Sequence, residues 1–305
     1  MSFSQNVKEE LCRCISDRDR EYGCLYGMLL FCYKFDADEI VFRTESTLVR
    51  DMFIKLCSRV AGVKTTTEEL RLRNTLFQIS IPEQADREEM IFRFRVASRS
   101  LVHRIQHENI TNNNIFAFVS GAFLSCGSIT EPMKEYHLEF AVPYEELAAD
   151  LTGILENMGI SSGTVVRKGI YVIYLKGSES IEDMLTIMGA TGSAIELMNV
   201  KILKDVRNKA NRIANCDTAN IERTLKASRR QIEDIEYIMA QGALDSLSDE
   251  LKNMALLRLE NPDVSLSELG AMLDKPVGRS GANHRLRRIS EIADAMREER
   301  GDADN

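Results

Sequence analysis

The chain has 305 residues, 44 % of them hydrophobic, and a formal net charge of −8. That length accommodates two domains. It contains no uninterrupted apolar run near the ~20 residues that cross a bilayer, and its charged first residues do not read as a signal peptide, so the expectation is a cytoplasmic protein without membrane contact. The seven cysteines are scattered, odd in number and without a CxxC pair, which reads as reduced, mostly buried thiols. His103 and His107 stand at i, i+4, but no Glu between them and no third ligand completes a zinc site, so no cofactor is expected.

Residues 2–14 predict a short helix with Ser4 as its N-cap and Val7, Leu11 and Cys14 on one face. An apolar helix follows at about 21–34, with Gly27 inside it. Residues 40–45 read as a strand and 47–60 as a helix closed by Gly62. Residues 70–81 read as a hairpin with Arg73-Asn74 at its tip, and 86–107 as helical. The plan then repeats. In residues 116–130, FAFVSGAFLSCGSIT, an apolar stripe of Ile115, Phe118, Val119, Ala122, Phe123 and Cys126 has helical spacing. Gly121 lies inside it. A mid-helix Gly costs roughly 1 kcal/mol against Ala, and a second helix packed closely against it supplies the reason. Gly127 is expected to end this helix with a positive φ. Residues 136–142 read as a strand. Pro143 is placed in the first turn of the next helix, which runs to 158 and ends at Gly159. Strands at 164–167 and 170–175 flank a Lys168-Gly169 turn, and a helix at 178–188 is capped by Ser178 or Ser180.

Gly121 follows Gly27 by 94 positions, Ile173 follows Ile79 by 94, and Gly159 follows Gly62 by 97. Three landmarks at nearly one offset predict an internal duplication. Paired inward helices with a central Gly, each opening an α-β-β-α-β-β-α half, resemble the LAGLIDADG homing-endonuclease fold. Laying residues 119–127 (VSGAFLSCG) and 25–33 (LYGMLLFCY) on that nonapeptide puts Cys126 and Cys32 where the family carries its metal-binding acids. Thiols are poor Mg²⁺ ligands, so the resemblance implies the scaffold without the nuclease. Asp36 and Asp38, after the first helix, are the acids left for an alternative, metal-dependent endonuclease.

Charge is unevenly distributed. Residues 131–196 hold 4 basic and 11 acidic groups, and residues 1–110 hold 17 of each. An acidic second sheet is expected to repel phosphate and to offer a surface to a regulatory protein partner, which makes a protein-interaction scaffold with a DNA-tethering tail the third reading. Residues 201–230 carry nine basic groups against three acids, among them Lys201, Lys204, Arg207, Arg212 and Arg223, interleaved with Asn208, Asn211, Asn215 and Asn220. This segment reads as a mostly helical linker that adds contacts to phosphate, and Gly242 ends the helical spacing of Ile232, Ile235 and Ile238.

The tail has the build of a helix-turn-helix. Ser248 caps a helix to Asn261 that turns Leu251, Ala255, Leu256 and Leu259 inward. Ser265 and Glu268 form a capping box for a short helix to Leu273. Residues 274–278 (DKPVG) turn the chain at Pro276, and the last helix runs from 279 to 296. In such a module the second helix enters the major groove with its first residues toward base edges. Arg279, Ser280, Asn283, His284 and Arg287 fall there; Arg pairs with guanine and Asn with adenine. Lys275, Arg285 and Arg288 are assigned to phosphate, while Leu286, Ile289 and Ile292 face the core. Ser280 alternatively serves as an N-cap.

Residues 207–220 (RNKANRIANCDTAN) together with 278–289 (GRSGANHRLRRI) resemble the WhiA family. The resemblance spans the chain. It implies a degenerate LAGLIDADG domain joined by a linker helix to a helix-turn-helix like the DNA-binding end of sigma factors, an α+β molecule divided at 1–110, 111–200, 201–243 and 244–300. It implies a nucleoid-associated, non-enzymatic regulator that binds double-stranded DNA in bacterial cell division, chromosome segregation or sporulation.

Overall fold

The computed structural model describes residues 2–71, 75–96 and 103–301. The expected hairpin tip at Arg73-Asn74 and residues 97–102 of the expected long helix lie outside them. The chain divides into two compact units, Met1–Asp205 and Val206–Asn305.

In the first unit a lead helix α1 (Phe3–Cys14) precedes two copies of one motif. The first copy is α2 (Arg18–Leu30), β1 (Lys34–Phe35), β2 (Ile40–Thr44), α3 (Thr47–Leu56), β3 (Thr66–Arg71), β4 (Thr75–Ser80) and α4 (Gln84–Arg93). The second is α5 (Ile115–Cys126), β5 (Gly127–Ile129), β6 (His137–Val142), α6 (Glu145–Asn157), β7 (Gly163–Arg167), β8 (Ile170–Lys176) and α7 (Ser178–Met188). Each copy builds one antiparallel sheet, ordered β1-β2-β4-β3 and β5-β6-β8-β7. The landmarks coincide in three dimensions. Ile79 pairs with Phe42 and Ile173 with Phe140, all four fully buried. Gly62 and Gly159 both hold left-handed φ, 70° and 78°.

The copies meet along α2 and α5, and here the glycines explain themselves. A Cβ on Gly27 would stand 2.1 Å from Phe118 O, and one on Gly121 would stand 2.1 Å from Cys24 O. Backbone meets backbone, and Ser125 Oγ donates across the seam to Met28 O at 3.2 Å. The close approach of the two helices is thus set by the two positions that lack a side chain.

Several local expectations are corrected. Ser2, not Ser4, caps α1, in a capping box with Gln5. Gly127 has φ −86°, so it does not end α5 by a left-handed turn. It enters β5 directly, and a Cβ there would strike the Phe123 side chain at 2.3 Å. Pro143 lies before α6, whose cap is Tyr144; Gly177 caps α7, not Ser178 or Ser180. The π-helical turn Cys57–Ala61, not further α-helix, joins α3 to Gly62. The helix expected over 86–107 stops at Arg93. Buried Phe94 caps it, Arg95 takes φ 52°, and the Val96 N–H closes back on Ile91 O, a C-terminal turn that usually holds Gly. His103 therefore shares no helix face with His107; its ring stacks on Tyr144 at 4.1 Å.

A single helix α8 covers Thr191–Ala240, so the segment expected to be a mostly helical linker is helical without interruption. All four asparagines lie exposed within it. Glu10 accepts from the N–H groups of Gly192 and Ser193 at its start, at 2.6 and 2.9 Å, which places a carboxylate where a helix presents unpaired donors. The second unit packs the end of α8 against α9 (Asp249–Glu260), α10 (Leu266–Ala271) and α11 (Arg279–Gly301). Its core is Ile235, Ile238, Met254, Ala255, Leu269, Ala282, Leu286, Ile289 and Ala293. Ile221 and Leu225, earlier in α8, stay exposed.

Candidate nucleic-acid interface

The turn between α10 and α11 is held by a close approach. The Val277 N–H donates to Gly270 O at 3.0 Å, and a Cβ on Gly270 would lie 2.3 Å from Val277 O. Only glycine at 270 lets the turn fold back this tightly. The Ser265–Glu268 capping box forms as the spacing predicts and fixes the start of α10. Gly278 O accepts from the Ala282 N–H, so α11 begins at Arg279 and Ser280 lies inside it rather than at its cap.

From that start α11 sorts its side chains. Ala282, Leu286 and Ile289 are buried and Ile292 packs beside them. Arg279, Ser280, Asn283, His284, Arg287 and Arg288 are exposed, as is Lys275 in the turn before them. Six hydrogen-bonding side chains thus occupy the exposed surface of the first three turns. Arg287 and Arg288 share one acid, Glu291, at 3.1 and 3.0 Å, and these contacts hold its carboxyl below the usual range, Arg288 contributing most. Exposed pairs of this kind contribute little and are exchanged readily for another anion. Arg285 differs. Its side chain is largely covered and pairs with Glu250 of α9 at 3.0 Å, so it braces α11 on α9 rather than pointing outward with Arg287.

The basic stretch of α8 is divided. Lys201 pairs with Glu179 and Glu182 of α7, each at 3.6 Å. Lys204 donates to Pro132 O at 2.6 Å and lies over the Tyr136 ring. Both serve the first unit's own surface. Arg207, Arg212 and Arg223 are exposed and have no acidic partner among the described residues. Arg223 and Arg279 line one cavity of the second unit with Ser228, Gln231, Arg258 and Ser267. Arg258 was not foreseen. Spacing turned Leu256 inward, yet α9 buries Met254, Ala255 and Arg258 and leaves Leu256 exposed. An arginine at a core position of the helical register is counted as surface unless the loop it holds is known. Here its Nη1 donates to Val264 O at 2.9 Å and, more weakly, to Asn261 O and Pro262 O.

The acidic second sheet is also corrected. Its strands carry one acid, Glu139, which faces His137 at 3.1 Å and Arg167 at 3.6 Å. The other ten acids of residues 131–196 lie on the 131–135 loop, α6, α7 and the start of α8.

At the ends of the two central helices the residues do not fit a divalent metal. Burial pushes the Cys32 and Cys126 thiols up to about 12, so both stay neutral at pH 7, whereas the thiolate is the ligand. Cys32 Sγ donates to Lys34 O at 3.0 Å. Lys8, whose ammonium lies 3.5 Å from Leu124 O, brings a positive charge toward Cys126. Asp36 Oδ1 accepts from the N–H groups of Asp38 and Glu39 at 3.0 and 2.7 Å, which commits it to the β1–β2 turn. Among the described residues no three His, Cys, Asp or Glu side chains converge as a metal cage, and no helix is long and apolar enough to cross a membrane.

Residues 115–207 match the family model described as the WhiA LAGLIDADG-like domain, and residues 210–293 match that of the WhiA C-terminal HTH domain. Relatives named "Probable cell division protein WhiA" from Thermoanaerobacter pseudethanolicus and Clostridium botulinum are each 37 % identical over 316 residues, covering 98 % of this chain and 99 % of theirs. The chain belongs to the WhiA family. A crystal structure of full-length DUF199/WhiA from Thermatoga maritima aligns with TM-score 0.60 and 25 % identity over 97 % of this chain and 99 % of that one. The WhiA pairing of a duplicated LAGLIDADG-like domain with a helix-turn-helix is thus the architecture here, and the thiols at the seam are this member's residues at the ends of the two inward helices.

Proposed function

We propose that this WhiA-family chain is a nucleoid-associated cytoplasmic regulator that binds double-stranded DNA through α11 and leaves it uncut, acting in cell division, chromosome segregation or sporulation. The observation that carries this reading is the exposed set Arg279, Ser280, Asn283, His284 and Arg287 over the buried Ala282, Leu286 and Ile289. A helix that seats its apolar side and presents donors and a planar amide on the other is shaped for the major groove. Arg207 and Arg212, exposed and unpaired, add phosphate contacts; Lys201, Lys204 and Arg285, engaged with their own unit, do not. The relatives' names point to cell division, and the neutral thiols at the seam argue against a metal-bound cleavage site.

The test is DNA selected from a random pool by the full chain, then titrated with wild type and Arg287→Ala at several salt concentrations. A base contact predicts a loss of roughly 1–3 kcal/mol confined to the selected sequence. Equal binding by wild type and variant would remove α11 as the reading helix. Nicking of supercoiled DNA with Mg²⁺ or Mn²⁺, abolished in an Asp36/Asp38 double variant, would restore the endonuclease.

A further inference from the structure

In the second unit a cavity of 490 Å³ opens among α8, α9, the start of α10 and the start of α11, with Arg223, Ser228, Gln231, Arg258, Ser265 and Arg279 in its lining. Three guanidinium groups line it and no carboxylate does. In a chain with 47 acids against 39 basic residues, such a wall departs from the average composition.

Arg258 is the decisive member. It is 2 % exposed, its Nη1 is spent on backbone carbonyls, and its Nε has no partner. No acid pairs with it among the described residues. A buried cation is tolerated when a counter-charge or a full set of acceptors compensates it, and the three carbonyls leave both conditions incomplete. Gln231 differs: its Oε1 is buried and unpartnered, an acceptor as placed, and a half-turn of the amide exchanges it for two N–H donors. Arg223 reaches only Asn220 Oδ1, at 3.4 Å. Arg279 has no acidic partner among the described residues. The remaining polar groups are mostly occupied: Ser228 Oγ donates to Pro262 O, Thr224 Oγ1 to Asn220 O, and the Ser265 N–H to Glu268 Oε2. Apart from the Gln231 amide oxygen, the unmet capacity of this cavity is donor capacity on fixed and flexible guanidiniums, the set that recognises tetrahedral oxyanions by forked hydrogen bonds.

We propose that this cavity is a binding site for a phosphate-class oxyanion, with Arg223 and Arg279 as the adjustable donors and Arg258 and Gln231 as the fixed wall. The anion is either a phosphate of bound DNA, which would seat the start of α11 in register, or a free phosphate or phosphorylated small molecule, which would make the same helix responsive to a solute. The chemistry is common to both, and the experiment separates them.

The full chain, free of DNA, is titrated with inorganic phosphate at ionic strength held constant with chloride, followed by calorimetry and by thermal unfolding. A single saturable site is expected, with the melting transition of the second unit raised by roughly 7 °C at ten times the dissociation constant. Arg223→Gln should weaken phosphate at least about tenfold while leaving the phosphate-free transition in place, and Gln231→Glu should weaken it as much while raising that transition, because the carboxylate supplies the counter-charge that Arg258 lacks; Arg258 is left intact because its loss would release the 261–264 loop. Short duplex DNA is then added to the phosphate-loaded chain. Displacement of phosphate assigns the site to a DNA backbone phosphate, and retention assigns it to a free anion. In the DNA case Arg223→Gln also lowers the salt slope of DNA binding by about one. The proposal is overturned if neither phosphate affinity nor that slope responds to the substitutions. The phosphate arm contains no DNA, so its outcome stands apart from that of the DNA-binding reading.

Discussion

The α2–α5 seam and the first turns of α11 are both helix surfaces, built for opposite tasks. At the seam every side chain that could act is withdrawn: Gly27 and Gly121 bring backbones together, Phe118 and Phe123 fill the sides, and Cys32 and Cys126 stand neutral at the ends. In the first three turns of α11 the apolar residues are confined to one narrow side and the exposed side chains are arginine, amide, imidazole and hydroxyl. The comparison teaches where this chain tolerates change. The seam is fixed by contact between main chains, which no rotamer can relieve, whereas α11 is fixed by its buried side and is free to vary on the other.

The largest expected effect breaks the seam. Gly121→Val adds a Cβ whose place lies 2.1 Å from Cys24 O and 2.9 Å from the Met28 nitrogen. Backbone atoms must part, so the first unit should lose about 3 kcal/mol or more, at the upper end of overpacking penalties. Urea unfolding should show its transition shifted to lower denaturant, and the second unit's transition unmoved. A first-unit midpoint within error of wild type would mean that the two helices are not in contact in solution.

The seam was legible in the sequence because glycine at mid-helix has few explanations, and two of them 94 positions apart share one. The duplicated order and the helix-turn-helix were legible for similar reasons: alternation, capping boxes and a Pro-Gly turn are local signals. What stayed hidden is non-local. Arg258 sits in a helical register that reads as solvent-facing until the loop carbonyls of residues 261–264 are in place. Lys204 looked like part of a phosphate-binding row until Pro132 O and the Tyr136 ring took it. The acidity of residues 131–196 is real, but composition does not say which element carries it, and the strands turned out to hold only Glu139. The helix over 86–107 failed because Arg95 adopts a conformation that arginine rarely takes, and nothing in its neighbours announces it.

A second test sharpens the contrast through pH. Free thiols titrate near pH 8.5, and burial holds those of Cys32 and Cys126 up to about 12. Between these values the unfolded chain has lost protons that the folded chain keeps, so unfolding is favoured as pH rises. Their contribution is intact below about pH 8.5 and declines through pH 9 to 12, by about 1.4 kcal/mol per pH unit for each thiol. The first unit's urea midpoint should fall steeply above pH 9, and Cys126→Ala should remove about half of the slope assigned to the pair. An unchanged slope in the Cys126→Ala chain would show that this thiol is not shielded.

The smallest expected effect separates two neighbouring arginines. Arg285 is largely covered and paired with Glu250 across α9 and α11; Arg287 is exposed and paired only within its own helix. Arg285→Ala should lower the second unit's stability by about 1 kcal/mol or less, the range of a partly exposed pair, and weaken DNA binding only as far as α11 is loosened. Arg287→Ala should do the reverse, leaving stability unchanged and lowering affinity for the selected sequence. The two variants, compared by urea unfolding and by titration with selected and unrelated duplexes, distinguish an arginine that holds the helix from one that the helix holds out. If Arg285→Ala cost as much sequence discrimination as Arg287→Ala without loss of stability, the ion pair to Glu250 would have to open on binding, and α11 would read DNA with a wider set of side chains than its free surface presents.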